Sequence, residues 1–191
     1  METLTRNQII LDGWVLEKLD NQEDILSFDC DDSDLNEYFR VDSVQYRKEL
    51  MTQSYCFYRV GQSQRDAVAL VDFCNDSLAR NFITKKSKKE IHHQKRGYKS
   101  FPALKITRLG VDKDIQHAGV GRSLLTVIKH FFVSDNRTGC RFLTVDAYRR
   151  VKDFYIANGF IEAFIPEEDL DPNSPTIPMY YDLKRLLIKS P

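Results

Sequence analysis

Gln116-His117-Ala118-Gly119-Val120-Gly121-Arg122 is the stretch of this chain whose residue types and spacing point most directly to chemistry. An apolar run, Ala103 to Val111, precedes it. Apolar residues at Val120, Leu124, Ile128 and Phe131 follow, so the pattern predicts a strand, a turn and an amphipathic helix. Where a helix starts, the first backbone N–H groups have no partner inside it, and they sit at the positive end of its dipole. That combination binds anions. Glycine at 119 and 121 removes the Cβ atoms that would hold a bulky pyrophosphate off those amides. The stretch reads as a phosphate cradle.

Three classes of glycine turn compete for it. A P-loop ends in Gly-Lys-Ser/Thr, whereas Gly121 is followed by Arg122 and Ser123. A dinucleotide fingerprint carries a third glycine at the position of Leu124, and a parallel βαβ unit near the N-terminus, which this sequence does not offer. The third class is the coenzyme A cradle of the GNAT N-acetyltransferases, Arg/Gln-x-x-Gly-x-Gly/Ala, which Gln116 to Gly121 resembles at every defined position. Downstream, Arg141 to Tyr148 is β-rich, and Phe154-Tyr155-Ile156-Ala157-Asn158-Gly159-Phe160 is similar to the second motif of that family, a helix ending at glycine before an aromatic-led strand. The resemblance is firm over residues 101–164. It departs from the family at Tyr148, which stands where an asparagine is common.

The resemblance implies an α/β (α+β) fold, a GNAT-type mixed, bent central sheet of six to seven strands flanked by helices, in one domain over residues 1–191. It implies acetyl-CoA as cosubstrate. The pyrophosphate would lie on the amides of His117, Ala118, Gly119, Val120, Gly121 and Arg122, after Gln116. The pantetheine arm would add to the strand at Leu109, Gly110 and Val111. Tyr155 would be catalytic, its hydroxyl directed at the coenzyme sulfur. Phe154 is expected to pack in the core. No base stands out: Asp72, Asp146 and His117 are candidates by position only, and His117 is expected to line the turn instead. An α-amine titrates near ~8 and a lysine near ~10.4, so an α-amino acceptor needs less help from a base.

Bulk properties bound the rest. In 191 residues, 42% are hydrophobic, and 28 Lys and Arg balance 28 Asp and Glu, so nothing global draws the chain to nucleic acid or membrane. The apolar runs are too short for a membrane span, and the start lacks a signal-peptide pattern, so the expected location is the cytoplasm. Cys30, Cys56, Cys74 and Cys140 are widely spaced and read as free thiols. Strands are expected at Gly13–Leu19, Ser54–Val60, Asp66–Asn75 and Met179–Leu187. A helix is expected from Ser33, with Leu35, Tyr38 and Phe39 on one face.

One segment is locally basic. Residues 80–99 carry Arg80, Lys85, Lys86, Lys88, Lys89, Lys95, Arg96 and Lys99 against Glu90 alone. It reads either as a solvated loop or as an arm contacting RNA phosphates, with Phe82, Tyr98 and Phe101 available for stacking. His92-His93 lacks a nearby third ligand, which argues against a metal. A further resemblance favours RNA. Phe28-Asp29-Cys30, then Leu35 to Phe39, Pro102, and Arg108-Leu109-Gly110-Val111-Asp112 are similar to segments of GNAT toxins, which acetylate the amino group of aminoacyl-tRNA. That branch implies aminoacyl-tRNA as acceptor, an antitoxin protein as partner and a homodimer. A small-amine or protein acetyltransferase, and a non-catalytic fold binding coenzyme A or RNA, stay open as alternatives.

Overall fold

Asp12 and Gly13 both take positive φ, 52° and 78°. That two-residue turn matches the twist of antiparallel strands, and it folds β2 (Gln8–Leu11) back onto β3 (Trp14–Lys18), with Leu11 opposite Trp14. The computed structural model describes residues 3–4, 7–89, 91, 98–134, 136, 139–166 and 171–187. The other strands are β1 (Thr3–Leu4), β4 (Gln53–Arg59), β5 (Ala69–Ala79), β6 (Ser100–Val111), β7 (Phe142–Tyr148), β8 (Ile161–Glu162) and β9 (Thr176–Asp182). Hydrogen-bonded neighbours run β1-β2-β3-β4-β5-β6-β7-β9-β8. Seven of these strands have four residues or more, in line with the expected six to seven, and β1 and β8 are two-residue additions. The α-helices are α1 (Ser33–Glu37), α2 (Ser43–Lys48), α3 (Lys85–Lys89), α4 (Val120–Ser134), α5 (Lys152–Ala157) and α6 (Lys184–Leu187). Among the described residues, no helix is long and apolar enough to cross a membrane.

The chain divides into two compact units, residues 1–74 with 106–136, and residues 75–105 with 137–191. In the first, β1 to β5 form an antiparallel meander. Alternation along β4 separates two cores. Cys56 and Tyr58 join Phe28, Tyr38, Phe39 and Leu70 beneath the α1–α2 segment. Tyr55 instead meets Phe131 of α4 at 5.5 Å, and Phe73 meets Phe132 at 5.1 Å. Val120, Leu124, Ile128 and Phe131 are all buried, so the expected stripe of α4 is its core face. Each such side chain contributes about 1.5–3 kcal/mol on burial, which fixes α4 and the turn before it. Asp32 starts α1 by accepting the Leu35 N–H, and the chain then passes through one π-helical turn, Tyr38–Asp42, into α2.

In the second unit β9 lies between β7 and β8, both antiparallel to it. Leu78, Ile83, Phe101, Ala103, Phe142 and Tyr180 form its core. The expected strand over Met179–Leu187 stops at Asp182 and becomes α6. Asp182 accepts both the Arg141 guanidinium and the Lys184 N–H, so its side chain ends one element and begins the next. Cys30, Cys56 and Cys140 are buried free thiols. Burial pushes Cys56 up to about 12 and Cys140 to about 11, which leaves both protonated and unreactive.

Candidate functional site

Strand β6 delivers the chain to the glycine turn. Leu109 and Val111 are half-buried and Gly110 is buried. The Asp112 N–H donates to the Val68 carbonyl at 2.9 Å, and the Asp112 side chain then accepts the Asp114 N–H and opens a short 3-10 turn, Lys113–Ile115. Gln116 follows. Its side-chain amide donates to the carbonyls of Cys30 and Val111 at 2.9 and 3.1 Å, so this side chain locates the turn, and its backbone is what remains for a ligand. His117 and Gly119 take φ of 65° and 80°, and α4 begins at Val120.

This geometry suits an anion. Residues 116–119 are exposed, and so is Arg122. The first amides of this fifteen-residue helix have no acceptor inside it and lie at the positive end of its dipole. Beyond its chain neighbours, a Cβ built on Gly119 would find no protein atom within 4 Å, so the space over that residue is open. Gly110 differs. A Cβ there would lie 3.2 Å from the Cys30 sulfur and 3.4 Å from the Phe28 ring, so its bareness serves the packing of the Phe28–Cys30 loop.

Tyr155 stands in the second unit, on α5. It is buried, with Phe154 and Phe160 edge-on to its ring at 5.1 and 5.3 Å. Burial raises its phenol well above the usual tyrosine range, so it is protonated across the physiological range. The Phe160 N–H donates to the Tyr155 carbonyl, which ties the end of α5 to the next segment. Phe154, expected in the core, is only half-buried. Tyr148 is exposed, and the Arg150 guanidinium lies 4.7 Å above its ring.

The candidate bases are placed unequally. Asp72 is completely buried and accepts the hydroxyls of Tyr38, Ser54 and Thr107, with Arg47 bonded in turn to Ser54 at 2.9 Å. A carboxylate so enclosed and satisfied holds the core and offers no lone pair to an incoming amine. Asp72→Ala should therefore lower the free energy of unfolding by about 2–4 kcal/mol, read by urea denaturation, since three hydroxyls lose a charged acceptor. Asp146 pairs with Lys105, and His117 is exposed on the turn, as expected of a residue lining it. The Asp72 network left no local signal in the sequence, because its members stand 18 to 35 residues from Asp72.

The basic segment is described only in part. Glu90, His92, His93, Lys95 and Arg96 lie outside the described residues. Its first half forms α3, whose footing is a hydroxyl cluster: Tyr180 Oη accepts the Thr84 N–H at 3.1 Å and donates to Ser87 Oγ at 3.1 Å. Ser87 and Ile83 are buried, and Lys85, Lys86 and Lys89 are exposed. The lysines are thus presented to solvent from a fixed base.

Residues 61–183 match the family model described as the acetyltransferase (GNAT) domain. Solved structures with the same fold include AtaT complexed with acetyl-methionyl-tRNAfMet, 21% identical over 92% of this chain and 98% of that one, with a TM-score of 0.71. A tyrosine-to-phenylalanine mutant of KacT is 21% identical over 93% and 99%, with a TM-score of 0.70. AtaTR bound with AcCoA is 22% identical over 93% and 98%, with a TM-score of 0.66. No curated protein matches the chain in sequence.

Proposed function

Because the chain belongs to the GNAT acetyltransferase family, we propose that it transfers an acetyl group from acetyl-CoA to the amino group of an aminoacyl-tRNA. The observation that carries the donor half is the turn at Gly119, open above a residue at φ 80° and backed by the α4 dipole. The amides of His117 and of Gly119 to Arg122 hold the pyrophosphate, whereas the Ala118 N–H, expected in the same set, donates to the Ile115 carbonyl at 3.4 Å. The backbone of Leu109 to Val111 pairs with the pantetheine arm. A thioester is already activated, so the protein's main task is to bring the amine against the carbonyl. A backbone N–H of β6 stabilises the oxyanion. The new N–C bond forms as the C–S bond breaks, the amine's proton passes to solvent, and Tyr155 hydrogen-bonds the departing thiolate.

For the acceptor, support comes from the exposed lysines of α3 and from the fold shared with AtaT, which was solved with acetyl-methionyl-tRNAfMet. An antitoxin protein belongs to the same reading, since AtaT was also solved bound to the C-terminus of the antitoxin AtaR. A homodimer and a cytoplasmic location, where charged tRNA is found, complete it. The direct test incubates the protein with labelled acetyl-CoA and charged tRNA. Label recovered as N-acetyl-aminoacyl-tRNA supports the proposal. Label moving only to a polyamine or a lysine peptide makes it a small-amine or protein acetyltransferase, and bound coenzyme with no transfer makes it a non-catalytic binder.

The lysines give a second, quantitative check. Lys85→Ala, Lys86→Ala and Lys89→Ala combined should raise KM for charged tRNA by about tenfold or more near physiological salt. The dependence of log KM on log salt should also flatten by about 2–3, because each lost phosphate contact removes close to one released counterion. Binding of coenzyme A by the same variant should be unchanged.

A further inference from the structure

Phe28 to Phe39 resembles the early segment of GNAT toxins, and the contacts of its first residues converge on the glycine turn. Asp29 grips the chain just before it at three points. Its carbonyl accepts the Lys113 N–H at 2.8 Å, its carboxylate pairs with Lys113 Nζ at 2.8 Å, and its own N–H donates to the Asp112 carboxylate at 3.4 Å. The Cys30 carbonyl accepts the Gln116 side chain at 2.9 Å. Cys30 and Phe28 fill the space that a side chain at Gly110 would take. So the loop holds three successive stretches of the donor segment: the end of β6, the 3-10 turn, and the first residue of the cradle.

Asn36, on α1, in turn holds the loop. Its Nδ2 donates to Asp29 Oδ1 at 2.7 Å, and its Oδ1 accepts the Cys30 N–H at 3.0 Å. The Lys113 ammonium beside Asp29, with donors from Asp31 and Asn36, holds that carboxyl far below the usual carboxylate range, so it stays ionised throughout the working pH range. One exposed ion pair fixes little by itself. One backbone–backbone bond, a bond from the Asp29 N–H to the Asp112 carboxylate, two side-chain amides and a close-packed glycine around it make the junction specific.

We propose that the Phe28–Asn36 loop is a brace that sets the coenzyme turn, with Asn36, Asp29 and Lys113 as positioning residues for the donor rather than contacts for the acceptor. This rests on the reading of residues 116–122 as the coenzyme site. An anion held by several backbone amides needs all of them aimed at once, and a small rotation of the 3-10 turn would misdirect the set. Side chains distant from the coenzyme would then control its affinity.

The test measures coenzyme A binding to the whole protein by calorimetry, with no acceptor present, alongside steady-state kinetics and thermal melts. Asn36→Ala removes three part-buried hydrogen bonds, one to the Asp29 carboxylate and two from the Cys30 N–H and thiol, and should weaken coenzyme binding about tenfold. Lys113→Met, a change at an exposed position that should spare the fold, should weaken it by about threefold, and Lys113→Arg should restore it. In all three, turnover at saturating acetyl-CoA and KM for charged tRNA should stay within about twofold of the unaltered protein. If Lys113→Met and a folded Asn36→Ala bind coenzyme A normally, or if they raise KM for tRNA instead, the brace is overturned and the loop belongs to the acceptor side. Failure of the unaltered protein to bind coenzyme A is a different result, which removes the donor site itself.

Discussion

Gly119→Val should yield a folded protein that no longer binds acetyl-CoA, with the dissociation constant raised about a hundredfold or more. The residue sits at φ 80°, where a β-branched side chain is strained, and that strain costs about 1–3 kcal/mol. Beyond its chain neighbours, no protein atom lies within 4 Å of the position a Cβ would take, so no tertiary clash adds to it. For a chain of this length the melting temperature should fall by about 2–4 °C per kcal/mol, leaving the variant folded at assay temperature. On the proposed placement of the pyrophosphate at residues 117–122, the added methyl groups would compete with it for the open space at this turn. Gly119→Ala, with the same backbone strain but less bulk, should fall between the two. Calorimetric titration with coenzyme A and a thermal melt measure the two effects separately. Normal binding by a folded Gly119→Val would mean that the pyrophosphate lies elsewhere.

Gly119 was legible because the signal is local: a strand, two glycines and an apolar stripe lie within a single stretch of chain, and α4 buries the stripe as the spacing required. Strands β4 and β5 were legible for the same reason, although β5 begins later than expected because Gln64–Asp66 forms a 3-10 turn. The hairpin of β2 on β3 is not among the expected elements, since Gln8 to Leu11 is short and only a strand over Gly13–Leu19 is expected there. Leu183 to Leu187 was read as strand from its apolar content. The capping by Asp182 that turns it into α6 depends on Arg141, 41 residues away, holding that carboxylate. Asp29 and Cys30 show the same limit. Their partners Lys113 and Gln116 are more than 80 residues distant from the loop, and no periodicity connects them. Sequence spacing thus names a turn whose signal lies within one stretch, while the groups that contact it from other elements become visible only when the chain is folded.

Tyr155→Phe should lower turnover about 100- to 1000-fold while leaving coenzyme A affinity within about twofold. The substitution removes only the hydroxyl. The ring keeps its edge contacts with Phe154 and Phe160, and no fold defect is expected. What is lost is a donor for the sulfur as the C–S bond breaks. A free thiol titrates near ~8.5, and burial drives this phenol above its usual ~10, so the tyrosine is much the weaker acid. In the proposed role, complete proton transfer to the thiolate would therefore be uphill, and the hydroxyl would act by hydrogen-bonding the developing charge, with solvent completing the protonation. The pH profile separates these roles. Turnover limited by the free α-amine should rise with pH through about 8 and then level off, with no decline below pH ~10, because the raised phenol stays protonated. A Tyr155 that titrated as the obligatory acid near neutrality would instead produce a descending limb that Tyr155→Phe abolishes. A variant with undiminished turnover would assign the thiolate to another donor and confine Tyr155 to the core of its unit.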